Sequence, residues 1–147
     1  MCIYTKYIEL LSWNTPKALQ EEAINFLINA EDCDMRGCIK NTQKDVWNNI
    51  VLIISKRSVS DRINCLPDLL FLLKDLNWPG ALKALEILKS MKATDVINNL
   101  EQSLKQAYDE KDGIWISNLK ELVNHYNFSS NTFSSISLNE ILGLAEW

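Results

Sequence analysis

Scarcity of chain-breaking residues is the strongest constraint in this sequence: 147 residues include only 4 Gly and 3 Pro. Sandwiches and barrels need many tight turns, which draw on glycine and proline for their backbone geometry. A glycine-rich phosphate loop finds little room for the same reason, and no cofactor is expected. Helices become the expected element, provided that apolar residues recur at helical spacing. With 47% hydrophobic and 23% charged residues, the chain fits a single globular domain spanning 1–147, with a core of its own.

The apolar spacing supports helices along most of the chain. A first helix from about Ile3 to Ser12 carries Ile3, Tyr7, Leu10 and Leu11 on one face. Asn14-Thr15-Pro16 then supplies a capping oxygen and a proline at the first helical position, so a second helix is predicted from Pro16, with Leu19, Ala23, Phe26, Leu27 and Ala30 inward. Thr42 is placed to cap a third helix, whose face is Val46, Trp47, Ile50, Val51 and Ile54. The β-branched run Ile50 to Ile54 also suits a buried strand, but the spacing back to Val46 favours helix. Lys56-Arg57 then sits where it complements that helix's negative end.

A short helix over Ser60 to Cys65 leads into Pro67 to Leu76, which is apolar on nearly every side and predicts a buried helix. After Asn77-Trp78-Pro79 the polar positions Lys83, Glu86 and Lys89 form one narrow strip, as on a helix enclosed by neighbours. Thr94 is placed to cap a longer helix to about Glu110, with Val96, Ile97, Leu100, Leu104, Ala107 and Tyr108 inward. The next carries Trp115, Leu119, Leu122, Val123 and Tyr126. Asn127 to Ser137 reads as an exposed loop. Ser137-Leu138-Asn139-Glu140 reads as a capping box before a last helix to about Leu144. Trp13, Trp47, Trp78 and Trp115 are expected to pack between helices, and Trp147 to reach a partner or to belong to a loose tail.

Chemistry is harder to find. One histidine in the chain excludes paired-histidine metal sites and paired-histidine acid–base catalysis. A Cys–His enzyme would need His125 beside a cysteine, and nothing in the sequence brings them together. Cys2, Cys33, Cys38 and Cys65 match no zinc or redox spacing and are expected as free thiols. In the loop Glu31 to Asn41, Asp32-x-Asp34-x-x-Gly37 echoes the start of an EF-hand. Arg36 and Gln43 stand where oxygen ligands belong, so no metal is expected and a solvated acidic loop is the simpler reading.

Charge narrows the partners. The net charge is -4 and no basic run exceeds Lys56-Arg57, which disfavours direct binding to a nucleic-acid backbone. The amino terminus does not read as a signal peptide, and the longest apolar runs fall far short of the roughly 20 residues that cross a bilayer. A cytoplasmic protein with no membrane contact is expected. Two acidic clusters, Glu31, Asp32 and Asp34 and then Asp109, Glu110 and Asp112, are the candidate partner-binding residues; solvated loop and helix-end charge is the plainer account of each.

Leu11-Ser12-Trp13-Asn14-Thr15-Pro16-Lys17-Ala18-Leu19 and Leu76-Asn77-Trp78-Pro79-Gly80-Ala81-Leu82 repeat one another: leucine, a small polar residue, tryptophan, then Pro-x-Ala-Leu opening a helix. Repeated helical hairpins are a mark of α-solenoids. The string Asn77-Trp78-Pro79-Gly80-Ala81 resembles the signature of a family of small bacterial HEAT-like helical proteins known as a domain of unknown function. The Leu-Ser-Trp-Asn-x-Pro opening, Lys44-Asp45-Val46-Trp47-Asn48-Asn49 and Asp112-Gly113-Ile114-Trp115-Ile116-Ser117-Asn118-Leu119 are similar to segments of such proteins. Ile50 to Ile54 departs from the small and polar residues of that helix, and the tail after Tyr126 has no counterpart.

The resemblance implies an all-α, HEAT-like helical repeat, an α-solenoid of stacked antiparallel helices. It also implies an immunity protein, which binds and neutralises a cognate bacterial toxin domain, as in contact-dependent growth inhibition. No catalytic residue is carried over by it. A basic toxin domain, such as a nuclease, would be drawn to the acidic surface. The alternative is a HEAT-like scaffold or regulator that binds peptides without a toxin partner.

Overall fold

The computed structural model describes residues 4–146, so Cys2, Ile3 and Trp147 lie outside the described residues. Among the described residues there are nine α-helices and no strand. They are α1 (Thr5–Glu9), α2 (Lys17–Asn29), α3 (Lys44–Lys56), α4 (Val59–Asn64), α5 (Leu66–Phe71), α6 (Ala81–Ser90), α7 (Ala93–Asp109), α8 (Gly113–His125) and α9 (Leu138–Leu142). A single 3-10 turn, Leu72–Lys74, extends α5. None of these helices is long and apolar enough to cross a membrane.

The uniformly apolar segment after Cys65 forms the centre. Leu66, Leu69, Leu70, Leu72 and Leu73 are fully buried, because α5 packs on α6 and α7 while its 3-10 turn packs on α8. Helix α8 also satisfies the open carbonyls at the end of that segment. Trp115 Nε1 donates to Leu70 O at 3.1 Å, and Asn118 Nδ2 donates to Leu73 O at 2.7 Å. Around this centre α2 pairs with α3 and α7 with α8, and α3 joins the first pair to α6.

The run Ile50 to Ile54 lies within α3, where Val46, Trp47, Ile50, Val51, Ile53 and Ile54 are all buried. A β-branched run is helical here because its flanks continue the 3.6-residue spacing onto a packed face. The stripes of α7 and α8 also pack inward: Val96, Leu100, Leu104 and Ala107, then Trp115, Ile116, Leu119, Leu122 and Val123, are buried.

Several expectations are corrected. Arg57 is buried and complements a helix end other than the expected one. Its guanidinium donates to Leu27 O at 2.5 Å, Ala30 O at 2.9 Å and Cys33 O at 3.2 Å, at the carboxyl end of α2. The basic residue still meets a negative helix terminus, but one brought to it by tertiary packing. The loop after α2 is not simply solvated: Cys33, Met35, Cys38 and Ile39 are buried. Asp68 of α5 pins this loop, its Oδ2 accepting the Gly37 N–H at 2.8 Å. Gly37 has φ +75°, a left-handed conformation that costs glycine nothing.

The predicted caps fare less well. Thr42 donates its hydroxyl to Cys38 O at 2.6 Å instead of capping α3, and no side chain caps α7 at Lys92. Ser137 precedes α9 without capping it, while Glu140 accepts the Tyr108 hydroxyl at 2.7 Å. A longer-range partner has taken the carboxylate on which the capping box depends. Trp13 is 58% exposed and does not pack between helices. Cys38 and Cys65 are buried thiols outside any disulfide, whereas Cys33 is disulfide-bonded, against the expectation for it.

Candidate functional site

The six acidic candidates divide by what holds them. Asp34 is gripped by Arg36 at 2.6–3.0 Å, which pulls its carboxyl down to about 2. The echo of a calcium loop is thus occupied by an internal cation. Asp32 accepts the Tyr4 hydroxyl at 2.7 Å, and Glu31 is exposed. In the second cluster, Glu110 accepts from Gln106 Nε2 at 2.7 Å and Lys74 Nζ at 3.0 Å, and these partners hold it below the usual carboxylate range. Asp112 caps α8 by accepting the Trp115 N–H at 3.0 Å. Asp109 is exposed at the end of α7. Four of the six carboxylates therefore have local structural duties, which also fix where they stand.

Side chains that bear on catalysis are set as follows. His125 Nε2 lies 2.8 Å from Lys89 O, at the end of α6. Burial pushes the Cys65 thiol up to about 12, so at neutral pH it stays protonated and is a poor nucleophile. Among the described residues no group of three His, Cys, Asp or Glu side chains could hold a metal ion. A cleft of about 310 Å³ opens between α1 and the start of α3, over Ile8, Cys38 and Val46, with Glu9 and Asp45 on its wall.

A surface that the sequence reading did not single out lies beside the Asn-Trp-Pro-Gly string. Trp47, Phe71 and Trp78 meet edge-to-face or tilted, with centroids 5.5 to 6.3 Å apart. Three lysines stand over these and a neighbouring ring. Lys40 Nζ is 5.4 Å from the Phe71 centroid and Lys44 Nζ 5.2 Å from Trp78; Lys74 Nζ is 5.5 Å from Phe71 and 4.7 Å from Trp115. Ring quadrupoles hold cations at such distances. Beside Phe71 is a depression of about 80 Å³, floored by Phe71 and Trp115 and edged by Lys40 and the amides Asn99, Gln102 and Gln106 of α7. The signal existed in the sequence as Lys40, Lys44 and Lys74 near the aromatic residues, but their convergence depends on three separate elements.

The Asn-Trp-Pro-Gly turn itself is shaped by packing. Gly80 has φ +83°, and a Cβ there would lie 2.9 Å from Val51 Cγ2 and 3.2 Å from Trp47 O. Only glycine lets the start of α6 come so close to α3. Compared with known proteins, the chain matches no family model, no curated protein and no solved structure.

Proposed function

We propose that this chain is a protein-binding module, a HEAT-like stack of helical hairpins, acting in the cytoplasm as an immunity protein. In this reading it binds a cognate toxin domain, a basic nuclease for example, and blocks it without any reaction of its own. The observation that carries the reading is the acidic corner at the α7–α8 turn. Glu110 is fixed by Lys74 and Gln106, and Asp112 is fixed as a helix cap, beside exposed Asp109. Carboxylates held in place lose little side-chain freedom when a basic partner docks, and they speed its encounter.

The test is survival. The gene encoded immediately upstream is expressed alone and together with this chain, and viable cells are counted. Killing that this chain reverses supports immunity; a well-expressed neighbour that is harmless overturns it. Glu31→Lys with Asp109→Lys is the clean electrostatic variant, since neither side chain caps a helix. It is expected to slow association about tenfold at low salt, with the fold intact. A second reading, a scaffold that holds an extended peptide without a toxin, is favoured by the amide-edged depression between α5 and α7.

A further inference from the structure

We infer that the lysine and aromatic face around Phe71 is a docking site for an extended, carboxylate-bearing segment of a protein partner. This rests on the protein-binding reading and adds a contact of opposite sign to the acidic corner.

The local charge is the first argument. In a chain of net charge -4, Lys40, Lys44 and Lys74 converge on Phe71, Trp78 and Trp115. Lys40 and Lys44 are exposed. The carboxylates around this face already have partners within the fold or line another cleft. Glu110 is shared by Lys74 and Gln106, and Asp75 accepts the Asn77 N–H at 2.8 Å. Asp68, behind Lys40, is buried on Gly37, and Asp45 lines the separate cleft by α1. Glu110 answers Lys74 and also acts on Lys40, and buried Asp68 acts on Lys40 from below. Two carboxylates thus stand against three ammonium groups, and the face keeps positive charge suited to an acidic partner.

The second argument is shape. Asn99, Gln102 and Gln106 edge the depression from α7, at i, i+3 and i+7, which is one face of a helix. From Asn99 to Gln106 such a row runs about 10 Å, the length of roughly three residues of extended chain. Each amide offers both a donor and an acceptor, the pair that a peptide bond presents. Half-buried Phe71 supplies apolar area, and lysines at the edge select carboxylates. An acidic peptide matches the amides with its backbone and the lysines with its carboxylates.

The probe is a fluorophore-labelled glutamate decapeptide, titrated into the full chain at low and moderate salt, with tryptophan fluorescence as a second readout. Lysine and glycine-serine decapeptides and a DNA oligonucleotide of the same length serve as comparisons. The expected result is binding of the glutamate peptide alone, with affinity that falls as salt rises. Lys40→Glu with Lys44→Glu should weaken it at least about tenfold, and Asn99→Ala with Gln102→Ala by a few-fold. Lys92→Glu, at the far end of α7, should leave it unchanged. Lys40→Gln with Lys44→Gln repeats the test in case charge reversal unfolds the chain, as checked by circular dichroism. Absence of glutamate binding, equal loss with Lys92→Glu, or equal affinity for DNA would each overturn the inference. None of these outcomes depends on toxin neutralisation, so the two proposals fail separately.

Discussion

Leu11 to Leu19 and Leu76 to Leu82 are written in nearly the same residues and reach different structures. Both run from leucine through tryptophan to Pro-x-Ala-Leu, and in both the final leucine is exposed, Leu19 by 43% and Leu82 by 65%. The likeness ends there. Trp78 is half-buried against Trp47 and Phe71, while Trp13 is 58% exposed. Ala81 is fully buried, while Ala18 is exposed. The residue after proline accounts for much of this. Gly80, left-handed and without a side chain, lets α6 begin against the backbone of α3, whereas its counterpart Lys17 faces solvent. Helix α6 is therefore fastened at its start. Helix α2 is fastened at its end, where Arg57 bonds the carbonyls of Leu27, Ala30 and Cys33. A shared sequence pattern thus sets where a helix starts, and the neighbouring backbone sets what the start is packed against.

The largest expected effect breaks the α2 anchorage. Arg57→Met should cost about 3 kcal/mol, because three carbonyls lose a charged donor in a buried setting; chemical denaturation measures it, and a loss under about 1 kcal/mol would show that α2 is held elsewhere. Next comes the tryptophan pair. Trp78→Ala should cost about 3 kcal/mol and Trp13→Ala under about 1, so equal melting temperatures for the two variants would collapse the contrast. Gly80→Ala should cost about 2 kcal/mol, from left-handed strain and the contact with Val51, while Lys17→Ala should be near neutral.

The smallest effect concerns the loop that α2 hands to α5. Burial raises the Asp68 carboxyl above its ordinary 3.8, with the Gly37 N–H working the other way. The folded state then prefers the protonated form. That preference contributes stability fully below pH 3.8, and the contribution is lost as pH rises through the higher folded value. Asp68→Asn should therefore match or exceed the parent at neutral pH by under about 1 kcal/mol, with the gap closing as pH falls. Thermal melts across that range check the sign, and a gap that widens on acidification would reverse it.

Long periodic segments could be read directly. The stripes of α3 and α7, and that of α8 up to Val123, were visible because a helix needs one continuous apolar face, and their spacing carries that requirement. Loop 30–43 was not, because Cys33, Met35, Cys38 and Ile39 are buried without any period. Capping was misread at Thr42 and Ser137 because a hydroxyl or carboxylate near a helix start has competitors that no local pattern reveals. The acidic candidates were visible as charged residues, but the groups that hold Asp32 and Glu110, namely Tyr4, Lys74 and Gln106, were not.

The sequence by itself determined that the chain is helical, where most helices lie and, in α3, α7 and α8, which faces turn inward, since sparse Gly and Pro and apolar spacing are local properties. In α2 only Ala23 and Leu27 of the expected face are buried, while Leu19 and Phe26 are exposed. Tertiary structure alone decided that Arg57 serves α2, that Gly80 meets α3, and that three lysines gather over Phe71, Trp78 and Trp115. Those outcomes join groups from separate elements, and their free energy arises only when the elements are packed together.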